Sequence, residues 1–354
     1  MLMSVGMVNR PGRTGWLVVA RRAMVAAWVA GLGSSVSVAY AQESANGVAP
    51  AKLIQSMSQA LRSLNYEGIF VHAQGSNLTG MHILHANTGR GEHERLTALD
   101  GEAREVIRNN SLVTCIWPGS QSVVVSKSKP REALPRFDAS LATSQRYTFS
   151  YGKPDRVADR PTHVINVVPR DKYRYGYRFW IDVENNMLLR SMLLEGPEKP
   201  VEQVIFTEIS FPNSIDIARF NFLGGESRDV VSWLEPKSTQ AVSSLETREK
   251  SEQADRVGFA SLPDGYRKVS ETYSSTPIKN GPVSHVMLSD GMASVSVYVE
   301  YVSATKQAGS SVGLSRMGAM NAFSVSSESM MITAVGEVPE ATVRAIAAAV
   351  KLKE

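Results

Sequence analysis

The hydrophobic positions along this chain change their period twice. Leu53, Ile54, Met57, Ala60, Leu61 and Leu64 recur at spacings of three and four, which predicts an amphipathic helix with one apolar face. Pro50 lies at its start, where the missing N–H costs nothing. From Tyr66 the period becomes two and stays there for most of the chain. Short β runs at 95–99, 104–108 and 112–117 are separated by Asp100-Gly101 and Asn109-Asn110. Asp, Asn and Gly tolerate the backbone of tight turns whose twist matches antiparallel strands, so this region predicts a meander of hairpins. The same grammar returns at 177–183, Asn185-Asn186 and 187–194, and a further strand is expected over 201–211. No helix-length segments separate these runs, which argues against parallel βαβ units.

Residues 224–256 lapse into Ser, Thr, Glu, Lys and Gln, with Trp233 and Pro236 among them. This stretch reads as an interdomain linker with a short helix near 243–253, and Trp233 is the hinge candidate. Strands then resume: 294–301 alternates cleanly behind the turn dipeptide Asp290-Gly291. In 339–352, Val343, Ile346, Ala347 and Val350 share one helical face, so a closing helix is expected to dock on the second sheet. The fold class is mainly β (α+β), with a first domain over 42–223 and a second over 257–354. No repeat of fixed period is present.

The N-terminal segment changes the compartment. Arg10, Arg13, Arg21 and Arg22 precede an apolar run from Ala23 to Val38 that ends in Ala39-Tyr40-Ala41. That is the pattern of a cleavable signal peptide over 1–41, too short in its apolar part for a bilayer span. Its removal takes four arginines and no acid from 38 basic residues, which leaves 34 to face 34 acidic ones. The isoelectric point near 9.1 thus reports the leader, and a neutral mature chain lacks the basic field of a nucleic-acid binder. Cys115 is the one cysteine, so no intrachain disulfide can form, and within 112–117 it reads as a small apolar filler of a buried strand.

Candidate chemistry is sparse. Gly309-Ser310-Ser311-Val312-Gly313 fits the pattern of a nucleophile elbow, but a Ser/Gly loop is the wrong context, and the last histidine, His285, precedes the serine. Four of the six histidines, His72, His82, His85 and His93, fall in one β region. His82 and His85 are three apart on a strand and point to opposite faces, which argues against a metal site. Gly89-x-Gly91 lacks the third glycine and the helix of a dinucleotide fingerprint. The reading is a non-enzyme that needs no cofactor. From Lys153 to Arg178 basic residues outnumber acidic ones. Arg170, Lys172, Arg174 and Arg178 are the candidates for docking an acidic partner segment or lipid phosphates. Phe70, Met81, Ile83, Phe149, Phe179 and Trp180 are expected on strands facing the first helix. A sheet curved around one helix leaves room for an acyl chain there.

Motifs in order across both halves resemble the MucB/RseB family of periplasmic sigma-E regulators. In the first domain these are Tyr66-x-Gly68-x-Phe70, Glu94-Arg95-Leu96, Leu99-Asp100-Gly101, Arg104-Glu105-Val106-Ile107-Arg108 and Tyr173-Arg174-Tyr175-Gly176. In the second they are Leu262-Pro263-x-Gly265-Tyr266, His285 with Ser289-Asp290-Gly291, Ser296-Val297-Tyr298-Val299-Glu300 and Gly336-Glu337-Val338-Pro339. The resemblance implies an N-terminal unclosed antiparallel β half-barrel with a packed helix, as in lipoprotein carriers, and a smaller C-terminal antiparallel sheet with a C-terminal helix. It further implies a periplasmic protein that binds the periplasmic part of a membrane-spanning, MucA/RseA-like anti-sigma factor. It would shield that factor from regulated proteolysis until lipopolysaccharide or another acylated lipid releases it. A periplasmic lipid or lipoprotein carrier is the alternative reading. Self-association into a homo-oligomer stays open.

Overall fold

In the computed structural model of the protein, residues 48–120, 122–126, 145–221, 229–232, 256–274, 283–301, 312–327 and 330–352 are described. The leader over 1–41, Trp233, the helix expected near 243–253 and Ser311 lie outside them.

The helix read from the three-and-four spacing is α1 (Pro50–Ser63), which has Pro in its first turn and buries Leu53, Ile54, Met57, Ala60 and Leu61. The four large side chains in that stripe are each 6% exposed or less. At roughly 1.5–3 kcal/mol per buried side chain, the stripe contributes at most about 12 kcal/mol. Leu64 ends the helix in an extended conformation and hands the chain to the first strand.

The first half of the chain then runs as a meander. It comprises β1 (Tyr66–Gln74), β2 (Asn77–Thr88), β3 (Gly91–Ala98), β4 (Glu105–Asn109), β5 (Leu112–Trp117) and β6 (Ser122–Ser126). It continues with β7 (Tyr147–Tyr151), β8 (Asp155–Val157), β9 (Arg160–Pro169), β10 (Gly176–Asp182), β11 (Leu188–Glu195) and β12 (Lys199–Ser210). Gly101, Asn110 and Asn186 carry φ of 68°, 56° and 62°, the left-handed backbone that the turn residues were expected to supply. Among the described residues these strands make one open sheet in the order β6-β5-β4-β3-β2-β1-β12-β11-β10-β9-β7, with β8 on β9. Asp229–Ser232, inside the stretch read as a linker, is strand β13 and pairs parallel with β6 at the sheet's edge. The buried stripe of α1 forms one hydrophobic cluster with Tyr66, Phe70, Ile83, Phe179 and Phe206 of the sheet.

The second half holds a six-stranded antiparallel sheet in the order β15-β16-β17-β20-β19-β18. Its strands are β15 (Arg267–Ser274), β16 (Val283–Ser289), β17 (Ser294–Tyr301), β18 (Gly313–Met317), β19 (Met320–Ser327) and β20 (Met330–Gly336). Helix α2 (Glu340–Ala349) packs against β19 and β20, and its Val343, Ile346 and Ala347 share one buried cluster with Val286, Val295, Val297 and Ile332. The closing helix is shorter than its periodicity predicted. Val350 turns extended, and Val350–Leu352 forms β21, antiparallel to β14 (Val257–Phe259). A strand partner about 90 residues earlier outcompetes the last helical turn, where β-branched Val350 is a weak helix former.

Candidate functional site

The loop between β9 and β10 carries Tyr173, Arg174 and Tyr175 into the seam between the two sheets. The Arg174 side chain is fully buried. Its Nε donates to Asp290 Oδ2 at 2.5 Å, and its terminal nitrogens donate to the Asp171 carboxylate and the Asp264 carbonyl. The Tyr266 and Tyr147 rings lie 5.0 and 5.9 Å from the guanidinium. Asp290 Oδ2 also accepts Tyr147 O–H at 3.0 Å. Its other oxygen caps its own hairpin turn, accepting from the Met292 and Ala293 N–H groups at 3.0 and 2.8 Å.

Further bonds cross the same seam. The Tyr173 carbonyl accepts from Thr342 Oγ1 at 2.8 Å and from Tyr266 O–H at 3.3 Å. Asn321 Nδ2 donates to Tyr175 O–H at 3.0 Å. At the rim Arg146 pairs with Asp264 at 3.0 Å and Arg316 with Glu195 at 3.3 Å.

Burial shapes the electrostatics of this cluster. It raises the Tyr147 and Tyr266 hydroxyls far above the ordinary phenol value, and the Asp290 charge raises them further. Both phenols are held as donors. Burial alone would make Arg174 easier to deprotonate, but the hydrogen bond and charge of Asp290, with Asp171, hold its pKa above the ordinary value. The cluster is thus a desolvated ion pair whose remaining donors are taken, the one arrangement in which a buried pair is tolerated.

Beside the seam lies a cleft of about 640 Å³ whose wall includes Val167, Pro169, Lys172, Arg178, Leu194 and Pro339. Apolar side chains share its wall with three basic residues, Lys172, Arg174 and Arg178, and three acidic ones, Asp171, Glu195 and Glu198. Lys172 is exposed, and Arg178 is half-buried with its Nε on Asn166 Oδ1 at 2.7 Å. Among the described residues neither has a carboxylate within ion-pair distance. A second depression, of about 750 Å³, sits beside the β1–β2 turn against Leu78, Arg104 and Trp117.

The structure sorts the residues singled out from sequence. Lys172, Arg174 and Arg178 surround one cleft, but Arg174 is buried in the seam with its guanidinium fully engaged, so it offers no free charge there. Arg170 is exposed outside the cleft wall. Two other cations of that stretch are paired, Arg156 with Asp159 and Arg160 with Asp182 and Glu184.

Phe70, Met81, Ile83 and Phe179 are buried in the cluster under α1, and Phe149 packs against it half-buried. Trp180 is buried and belongs to the same cluster. Its ring is covered by Arg190 at 4.2 Å, and its N–H donates to Asp155 at 2.8 Å. The four histidines disperse: His72 to Glu202, His82 to Glu67, His85 to the Leu64 carbonyl and Glu92, His93 to Asn109. Cys115 is half-buried, and burial pushes its thiol pKa up.

Asp290, Tyr147, Tyr266 and Asn321 are the seam residues that the sequence reading did not assign. Asp290 and Tyr266 were visible there only as fold signatures. Nothing local announced that they meet Arg174, which lies 116 positions from Asp290.

Comparison with known proteins agrees with this architecture. Residues 49–224 match the MucB/RseB N-terminal domain and residues 251–351 the MucB/RseB C-terminal domain. The chain is 26% identical over 317 residues to the sigma-E factor regulatory protein RseB of Haemophilus influenzae, covering 88% of this chain and 93% of that protein. It is 28% identical over 304 residues to RseB of Escherichia coli K12, covering 84% and 89%. In fold it is similar to the structure of the Pseudomonas aeruginosa MucA/MucB complex, with a TM-score of 0.65 at 24% identity over 86% of this chain and 99% of that one. With both domains matched in order over most of the described chain, this protein belongs to the MucB/RseB family.

Proposed function

We propose that this protein is a periplasmic negative regulator of a sigma-E-type envelope-stress response. In this reading, cleavage after Ala41 leaves a mature chain that binds the periplasmic part of a membrane-spanning anti-sigma factor of the MucA/RseA kind. The observation that carries the proposal is the cleft beside the seam: apolar side chains of the first domain and Pro339 of the second, with Lys172 and Arg178 on its wall, while two of the lining carboxylates, Asp171 and Glu195, are already taken by Arg174 and by Lys199 and Arg316. An extended or helical segment with apolar anchors and acidic flanks fits that chemistry. The names of the relatives, and a similar fold solved with MucA bound, support the same reading. A segment held in such a cleft is not available to the active-site groove of a protease.

Release by lipopolysaccharide or another acylated lipid belongs to the same proposal. The supporting feature is that the α1 stripe belongs to the same cluster as Phe70, Met81, Ile83 and Phe179, so a shift of that helix would uncover apolar surface for an acyl chain. The carrier reading, transport of a lipid or lipoprotein, rests on that feature too, but it leaves the cleft beside the seam without a role.

Size-exclusion chromatography with the periplasmic segment of the organism's own anti-sigma factor tests the proposal. A comigrating complex, and slower cleavage of that segment by its regulatory protease, are expected. Separate elution with an unchanged cleavage rate would refute it.

A further inference from the structure

We infer that Arg174 and Asp290 form an interdomain latch, a discrete two-state contact that sets whether the cleft has the shape seen here. The inference rests on the proposed role of the cleft only for its consequence in binding; the latch itself stands on the seam geometry.

Three features make it a latch and not merely a packed interface. First, the charges come from different domains and both side chains are fully buried, so partial opening exposes an ion pair without yet hydrating it. Packed, desolvated contacts of this kind favour two arrangements over a continuum.

Second, each half keeps a local partner when the pair separates. Arg174 retains Asp171, three residues away, and Asp290 retains the two N–H groups of its own turn. Neither domain has to unfold for the latch to open.

Third, the latch and the cleft share one segment. Arg174 lies between Lys172 and Tyr175, all three in the cleft wall, and the Tyr173 carbonyl is held by Thr342 and Tyr266 from the other domain. Opening the latch therefore reshapes the cleft in the same motion, and an occupant of the cleft that favours one arrangement shifts the latch by its differential affinity.

The experiment uses the full-length protein purified from its exporting cells, in three forms: wild type, Asp290→Asn and Tyr147→Phe. Asp290→Asn keeps an oxygen to cap the turn but removes the charge from Arg174. Tyr147→Phe keeps the ring and removes one bond to Asp290, so it is expected to fold even if the first variant does not. Small-angle scattering and scanning calorimetry are read without any partner. The expected result is an increase in radius of gyration and the splitting of one thermal transition into two, more in Asp290→Asn than in Tyr147→Phe. Wild-type scattering and a single unsplit transition in every variant that folds would overturn the latch.

Affinity for the anti-sigma segment is measured separately. If the latch-open form fills nine-tenths of the variant population, affinity falls about tenfold. Equal affinity in variants whose scattering has changed would overturn the coupling of latch to cleft. Failure of wild type to bind would sink the proposed function while leaving the scattering and calorimetric result for the latch intact.

Discussion

Replacing Gly68 by alanine tests the physical reading of the first domain at its tightest point. Gly68 stands on β1 where it pairs with β12, beside an irregularity in register between Ile69 and Phe70. A Cβ there would lie 2.5 Å from the Glu208 carbonyl oxygen and 3.1 Å from two atoms of the Phe206 ring. Ordinary contact begins near 3.4 Å, so the two strands would have to part by roughly 0.9 Å and the ring shift from its rotamer. Neither is free. Weakening one or two ladder hydrogen bonds costs about 1 kcal/mol each, and driving Phe206 off its rotamer costs on the order of 1 kcal/mol more. The sum, about 2–3 kcal/mol, falls at the upper part of the overpacking range.

The assay is urea unfolding followed by tryptophan fluorescence. For a slope of about 2–3 kcal/mol/M, the midpoint of the first domain's transition falls by about 1 M. Gly89→Ala is the control: no atom lies within 4 Å of its added Cβ and its φ is not positive. That variant should match wild type or gain up to about 1 kcal/mol through a less free unfolded chain. Equal midpoints for Gly68→Ala and wild type would show that the strands are not in the close approach described here.

Three further outcomes are expected. Met57→Ala, at a fully buried position of α1, should destabilise the first domain by about 2–5 kcal/mol through the lost methylenes and the cavity they leave, measured by the same unfolding curves. Glu67 is held below its ordinary value of 4.5 by the Arg219 hydrogen bonds, and Glu195 likewise by Lys199 and Arg316. In the acid range the unfolded chain therefore binds more protons than the folded one. The stability these carboxylates contribute is present above pH 4.5 and is lost as the pH falls below it. The melting temperature of Glu67→Gln should accordingly fall less steeply than that of wild type over that window, and parallel slopes would refute the assignment. Lys172→Ala should weaken binding of an acidic anti-sigma segment and flatten its salt dependence, while leaving thermal stability within about 0.5 kcal/mol; titration calorimetry at two salt concentrations decides it.

Much of the architecture is written locally. The stripe from Leu53 to Leu61 specifies α1 because a 3.6-residue period can bury those side chains on one face only. Asn110, Asn186 and Gly101 specify their turns because few other residues accept positive φ. Other features had no local signature. The segment 350–352 carries a helical pattern and becomes a strand because β14 is there to receive it. Asp229–Ser232 lies in a polar stretch and still extends the sheet at β6.

Arg174 marks the boundary between the two kinds of information. Read along the chain, it is one cation in a basic loop, and charge on a loop predicts solvent. Folding places Asp290, Tyr147 and the Asp264 carbonyl around it and removes the water, so the residue becomes a buried contact between domains. Sequence by itself determined the elements, their turns and the family, because backbone preference and hydrophobic period act over a few residues. Tertiary structure alone decided which charges lose their solvent, because desolvation depends on what a distant part of the chain brings to the same place.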